Sequence, residues 1–174
     1  MSRRHLLAAA ALAALAAPAG ARAPGPQLRD ASCSVPGGPP IRIQVLGLKD
    51  RIGRLKVELW PATEADFLKD DRDLAKAGKF FARVWSDTPA SGPVTLCVRT
   101  LRAGRYAMVV THDRDGRNKF NLWRDGAGSV SDRPLGRGQP RLAHAALDVG
   151  PGGATVNVRL QYLRGLSGFS PLGT

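Results

Sequence analysis

Short segments in which apolar and polar residues alternate one by one place the strongest constraint on how this chain can fold. The clearest alternation lies in Ala154 to Leu163, where every second residue is apolar, and a similar one lies in Ile41 to Val45. Successive side chains of a β-strand point to opposite faces of the sheet. Each segment therefore predicts a strand with one face toward a core.

About seven such segments occur, and turn-forming residues separate them at intervals of about 8 to 12 residues. No helical period of useful length lies between them. The pattern predicts an all-β fold, namely an antiparallel Greek-key β-sandwich, immunoglobulin-like or transthyretin-like. We expect segments 41–45 and 55–59 to form an antiparallel pair, and residues 122–140 to form one long irregular loop.

Residues 1–23 have the composition of a secretory signal peptide. Arg3 and Arg4 precede an apolar run, Leu6 to Ala17, which is too short to span a bilayer, and small residues suited to cleavage follow it. We therefore predict a periplasmic or secreted protein, and the arginine pair leaves the twin-arginine route as an alternative for export. No later run is long and apolar enough to span a membrane.

The rest of the chain divides by composition into three parts. We predict an extended leader rich in proline and glycine at 24–40, the β-sandwich at 41–163, and a C-terminal tail without pattern at 164–174. The two cysteines of the chain, Cys33 and Cys97, are expected to form a disulfide in an oxidising compartment. That bond would fasten the leader to the sandwich.

The chain is strongly basic, with a formal net charge of +12 from 26 basic and 14 acidic residues. Removal of Arg3, Arg4 and Arg22 with the signal peptide leaves +9. The basic residues are scattered and mostly arginine, a composition typical of a GC-rich genome. Association with an anionic envelope surface is therefore one alternative function, and we expect no specific nucleic-acid partner.

The stretch Asp113 to Asn121 resembles a calcium-binding loop, which alternates oxygen-bearing side chains. The candidate metal ligands are Asp113, Asp115, Asn118 and Asn121. Arg117 stands at the fifth position of such a loop and Arg124 at the twelfth, where oxygens are wanted; Asp125 comes one residue late. We interpret the loop as a set of side-chain-to-backbone turns without a metal, and calcium as the alternative cofactor.

A catalytic reading depends on His112, which with Asp113 and Asp115 could form the centre of a metal-dependent enzyme. A histidine at the end of a strand is more often a hydrogen-bonded structural group. The chain has no nucleophile elbow, no zinc-ligand spacing and no phosphate loop. We therefore expect no enzymatic activity, and the metal-dependent enzyme remains the alternative.

The candidates for binding a ligand or partner are Trp123, Arg117 and Arg124. Trp123 follows directly on the polar loop, where an aromatic ring is free to stack on a planar ligand. The sequence therefore favours an exported, non-enzymatic module that binds through the loops around 113–132, or a structural envelope protein. Neither the ligand nor the partner follows from the residues.

Several of these residues carry a resemblance to a bacterial exported family, domain of unknown function 2141. The resemblance rests on the following elements: Gly104 to Ala107, His112-Asp113, Gly116, Lys119, Asn121, and the glycine-rich segment Gly126 to Asp132. It extends over about Ile41 to Tyr162 and implies a small periplasmic or extracellular β-sandwich with no established activity. The chain departs from the family at Arg117, Asn118 and Asn121, where the family typically has Asn, Gly and Asp.

Overall fold

The computed structural model describes residues 33–34 and 37–173. The predicted signal peptide and residues 24–32 of the predicted leader lie outside this range. Ten strands occur in the described part of the chain: β1 Pro40–Leu46, β2 Arg54–Pro61, β3 Ala82–Asp87, β4 Val94–Arg99, β5 Gly104–Asp113, β6 Gly126–Ser129, β7 Ala146–Val149, β8 Ala154–Arg159, β9 Gln161–Leu163 and β10 Phe169–Pro171.

The strands form two sheets, which confirms the β-rich, sandwich-like architecture. The small sheet has the order β4-β1-β8, and the large sheet has the order β10-β9-β6-β5-β2-β3, with β7 also paired to β5. The main apolar core contains side chains from both sheets, including Ile41 and Ile43 of the small sheet and Leu55 and Val57 of the large one. Strand β5 lies at the centre of the large sheet and pairs with β2, β6 and β7.

The two-residue period correctly marks the strands and their buried faces. Along β1, Ile41, Ile43 and Val45 are buried while Arg42 and Gln44 are exposed. The alternation from Ala154 to Leu163 is also present, but its single predicted strand is divided between the two sheets. Strand β8 pairs with β1 and β9 pairs with β6, so the chain crosses the core at Leu160.

The pairing of the strands differs from the prediction in three respects. The described residues form ten strands rather than about seven, because the predicted strand 154–163 divides into β8 and β9, and because β10 and β6 are additional strands. Strand β6 lies within residues 122–140, so the prediction of one long irregular loop there is wrong. Strand β1 pairs with β8 in parallel, so the sandwich is not wholly antiparallel. Strands β1 and β2 do not pair with each other, because the turn at 47–53 carries the chain from one sheet to the other.

The sheet extends into the segment that was predicted to be a tail without pattern. A 3₁₀ turn at Gly165–Ser167 brings the chain back, and β10 pairs antiparallel with β9. Phe169 is buried, and its backbone N–H donates to the Gly136 carbonyl at 2.6 Å. The strand carries only one fully buried side chain, which is too few to produce a visible alternation.

A second, smaller apolar cluster lies beneath helix α1, Asp71–Lys76. Trp60, Leu74 and Val109 are its buried members. Asp70 caps the helix by accepting from the Arg72 N–H. A further single helical turn, α2, spans Leu142–Ala145. Within the described residues no helix is long and apolar enough to cross a membrane.

The predicted disulfide is present between Cys33 and Cys97, whose Cα atoms are 5.4 Å apart. It fastens the segment before β1 to strand β4, and Arg99 adds hydrogen bonds to the carbonyl oxygens of Gly38 and Cys33 at 2.9 and 2.7 Å. Such a bond agrees with an oxidising, extracytoplasmic compartment.

Replacing both cysteines, Cys33→Ser with Cys97→Ser, should lower the free energy of unfolding by about 4 kcal/mol. The physical reason is that the disulfide closes a long loop and restricts the unfolded chain. Urea denaturation of the oxidised protein and of the double variant measures the difference. A difference below about 1 kcal/mol would mean that the bond does not restrict the unfolded state in this way.

Candidate functional site

The side chain of His112, near the end of β5, is fully buried and has both ring nitrogens hydrogen-bonded. Its Nε2 lies 2.8 Å from the carbonyl oxygen of Ile52, and its Nδ1 lies 2.7 Å from the hydroxyl of Tyr162. A carbonyl oxygen only accepts, so Nε2 carries the proton and Nδ1 accepts from the Tyr162 hydroxyl. That hydroxyl in turn accepts from the Lys49 N–H at 3.0 Å.

Burial keeps both members of this pair neutral. It lowers the pKa of His112 below its usual 6.5 and raises the pKa of Tyr162 to about 12, because a dry environment disfavours the charged form. The pair needs room that only glycine provides, since a Cβ on Gly126 would stand 2.4 Å from the Tyr162 ring. Strands β5, β6 and β9 and the 47–53 turn therefore meet at one point.

Tyr162→Phe should destabilise the fold by about 1–3 kcal/mol, because it leaves His112 Nδ1 and the Lys49 N–H without partners. It should also change the dependence of stability on alkaline pH. In the wild type the unfolded tyrosine loses its proton near pH 10, and the folded one does so near pH 12. The Tyr162 contribution to stability is therefore lost as the pH rises from 10 to 12.

Urea denaturation at a series of pH values from 8 to about 12 measures this, with Tyr106→Phe as the matched control. The difference in stability between wild type and Tyr162→Phe should shrink across that range. A difference that stays constant with pH would contradict the neutral, buried hydroxyl.

Arg114, the first residue after β5, links the turn at 47–53 to the loop that follows β5. Its guanidinium pairs with Asp50, with Nε 3.0 Å from Oδ2, and its Nη1 donates to the Arg124 carbonyl at 2.8 Å. Burial by itself raises the pKa of Asp50, but the hydrogen bonds from Arg114 and from the Ile52 N–H, together with the charge of Arg114, hold the pKa below its usual 3.8. The charge of Arg114 is thus compensated chiefly by Asp50, with a smaller contribution from Asp125.

Asp113, the last residue of β5, is only 2% exposed. Its Oδ2 accepts from Arg54 Nε at 3.1 Å and from the Asn118 N–H at 3.1 Å. Its Oδ1 is buried and has no hydrogen-bond partner among the described residues. One oxygen of a buried carboxylate is therefore left without compensation.

Asp115 and Asp125 hold the loop through backbone hydrogen bonds. Asp115 Oδ1 accepts from the Arg117 N–H at 3.2 Å. Asp125 is 1% exposed, and its two oxygens accept from the N–H groups of Arg114 at 2.9 Å and Asn121 at 2.8 Å. The sequence predicts side-chain-to-backbone turns for Asp113, Asp115 and Asn118. Asp113 and Asp115 accept backbone N–H groups in this way, whereas Asn118 takes part through its own backbone N–H.

The same turns bring three carboxylates together. Asp113, Asp115 and Asp125 each offer one oxygen, and the three oxygens lie within 4.8 Å of one another. We call this group the carboxylate cluster. Hard divalent cations bind to oxygen ligands of this kind.

Two of the four candidate metal ligands belong to the carboxylate cluster and two do not. Asn118 contributes its backbone, with φ 59, in the left-handed region that Asn and Gly tolerate. The side chain of Asn121 serves the turn, with Oδ1 accepting from the Trp123 N–H at 3.1 Å. The expected pattern missed Asp125, which lies one residue after the position of the last ligand. A tolerance of one residue in the spacing would have found it.

The three candidates for ligand binding lie on the outside of the loop. Trp123 is 82% exposed, and Arg117 and Arg124 are also exposed. Phe120 and Leu122 are exposed as well, and the ring of Phe120 lies 5.8 Å from that of Phe169. The loop therefore presents a surface of apolar and basic side chains above an interior of aspartates.

A family model described as uncharacterised protein conserved in bacteria, DUF2141, matches residues 43–157, which is more than half of the 174-residue chain. The chain belongs to the DUF2141 family. This confirms the resemblance seen in the sequence. The part matched to DUF2141 runs from β1 into β8 and includes His112, the carboxylate cluster and Gly126. No curated protein and no solved structure matches the chain significantly.

Proposed function

We propose that this protein is an exported, non-enzymatic β-sandwich module that binds an anionic envelope surface through residues 117–124. The observation that carries the proposal is the exposure of Trp123, a residue that is 82% exposed in a loop held by many hydrogen bonds. A tryptophan held in solvent by a folded loop is typical of a binding surface.

The clustering of exposed apolar side chains supports this location. Six large apolar side chains are exposed in the described part of the chain, and three of them are Phe120, Leu122 and Trp123. The other three, at positions 52, 101 and 166, are separate in sequence. A patch of this kind loses contact with water when it enters a lipid headgroup region.

The distribution of charge supports an anionic partner. Arg117, Lys119 and Arg124 are exposed, whereas the three aspartates of the loop point inward and are largely buried. Lys119 and Arg124 form no ion pair within the described residues. Each basic side chain near an anionic bilayer contributes about 1 kcal/mol to binding.

The proposal has two further parts. One is that the protein has no catalytic activity, and the other is that its sandwich is immunoglobulin-like or transthyretin-like. His112 supports the first point, since both its ring nitrogens are engaged inside the protein. An immunoglobulin-like or transthyretin-like Greek-key arrangement is supported by the way the chain passes repeatedly between the two sheets. The metal-dependent enzyme centred on His112, Asp113 and Asp115 remains the alternative.

The test is sedimentation of the secreted protein with vesicles of phosphatidylcholine, with and without phosphatidylglycerol. Binding is expected only to the anionic vesicles and should weaken with salt. Trp123→Ser should weaken it about tenfold or more, since a loss of about 1.4 kcal/mol of apolar burial has that effect. Leu101→Ser, which removes an exposed apolar side chain elsewhere, is the control and should bind like the wild type.

A charge variant separates local contact from net charge. Arg117→Gln, Lys119→Gln and Arg124→Gln together should abolish binding, whereas Arg42→Gln, Arg102→Gln and Arg105→Gln together remove the same charge from other exposed positions and should weaken it less. Equal losses from the two sets, or no binding to anionic vesicles at all, would contradict the proposed surface.

A further inference from the structure

The carboxylate cluster has an excess of negative charge that the surrounding residues do not balance. Three carboxylate oxygens within 4.8 Å of one another repel strongly, and Asp113 and Asp125 are almost fully buried. Arg54 is the cation in direct contact, with its Nε 3.1 Å from Asp113. Arg117 approaches Asp115 only to 4.0 Å and is 77% exposed.

The charges in contact with the cluster favour a divalent partner. Three aspartates against Arg54 leave an excess of two negative charges, which the exposed Arg117 at 4.0 Å from Asp115 compensates only in part. A divalent cation would neutralise this charge. A buried charge that is not balanced would otherwise destabilise the loop.

The unpartnered oxygen of Asp113 is an independent sign of a ligand. Oδ1 is buried and accepts no hydrogen bond from the described residues, although buried carboxylate oxygens in folded proteins almost always have partners. The other cluster oxygens that accept N–H groups keep further lone pairs for a cation. The N–H groups of Asn118, Arg117 and Asn121 hold the carboxylates in position, as outer partners do in metal sites.

We propose that Asp113, Asp115 and Asp125 bind one calcium ion. All the ligand atoms are oxygens, and the imidazole of the adjacent His112 uses both of its nitrogens elsewhere. These features favour a hard cation over zinc or copper. Calcium accepts six to eight oxygen ligands in flexible geometry, which suits an irregular loop better than the strict octahedron of magnesium does.

The calcium site deepens the proposed function. It rests on that function only in the claim that the ion helps the loop with Trp123 to bind a surface. The ion would link the end of β5 to Asp125, directly before β6, and so fix the loop that carries residues 117–124. It would also neutralise the inner aspartates, so that the loop as a whole becomes more cationic. Calcium binding itself does not depend on what the loop docks to.

The experiment is calorimetric titration of calcium chloride into the chelator-treated, oxidised protein, followed by thermal melts with calcium and with chelator. One ion should bind per chain with a dissociation constant of about 10⁻⁴ to 10⁻³ M, the range of extracellular calcium modules. At a calcium concentration about a hundredfold above the dissociation constant, the melting temperature should rise by at least about 5 °C. No heat of binding and no shift would overturn the site.

Asp113→Asn separates a cation ligand from a purely structural aspartate. The asparagine keeps one oxygen for Arg54 and the Asn118 N–H and removes the charge. Calcium binding should be lost, while the melting temperature in chelator should stay within about 2 °C of the wild type or rise, because repulsion is relieved. A variant that still binds calcium like the wild type would overturn the assignment, as would one that loses stability equally with calcium and with chelator.

Asp115→Asn provides a second variant if the first does not fold, because Asp115 lies in the loop and outside the sheet. It should weaken calcium binding at least tenfold, and unchanged binding would overturn its role as a ligand. Asp148→Asn, at an exposed position of β7, is the control and should bind calcium like the wild type.

The vesicle assay, repeated with calcium and with chelator, distinguishes this inference from the proposed function. Calcium binding without vesicle binding would support the cation site and contradict the docking surface. Vesicle binding in chelator by a protein that gives no heat with calcium would support the docking surface and overturn the cation site. If both hold, vesicle binding should be stronger with calcium.

Discussion

The structure around the loops depends on a chain of hydrogen bonds through a neutral histidine. His112 donates to the Ile52 carbonyl and accepts from Tyr162, whose oxygen accepts from Lys49. The Ile52 carbonyl can only accept and the Lys49 N–H can only donate, so the two ends of this series fix the direction of the hydrogen bonds of His112 and Tyr162. The turn at 47–53, which carries the chain between the sheets, is thereby fastened to the central strand and to β9. Gly126 matters for the same reason, because any side chain there would displace the tyrosine ring.

The loop after β5 separates its charges by depth. Its aspartates face inward and hold backbone N–H groups, while Arg117, Lys119 and Arg124 face solvent. Such an arrangement is unfavourable for an isolated protein, because like charges gather on each side. It becomes favourable when a cation occupies the inside and an anionic surface covers the outside. The two proposals made above therefore describe two halves of one electrostatic arrangement.

The local sequence patterns predicted the strands and their buried faces, but they did not predict which strands pair with each other. The alternation in β1 identified its buried face because strand periodicity is a local property. The change of sheet at Leu160 leaves that alternation intact, so no local signal marks it. Cys33 and Cys97 could be paired because no other cysteine competes. Asp125 was missed because it reaches the cluster through the fold of the loop, one residue later than the spacing of a calcium loop prescribes.

The parallel pairing of β1 with β8 has a consequence for the order of folding. Ile41 pairs with Ala154, so the first strand lacks one of its two neighbours until almost the whole chain is present. Contacts so distant in sequence form slowly, because the intervening chain must first be confined. The antiparallel pairs β2–β3 and β2–β5 of the large sheet lie within residues 54–113, so their contacts are available earlier. If the chain crosses a membrane with its N-terminus first, its small sheet can be completed only after strand β8 has also crossed.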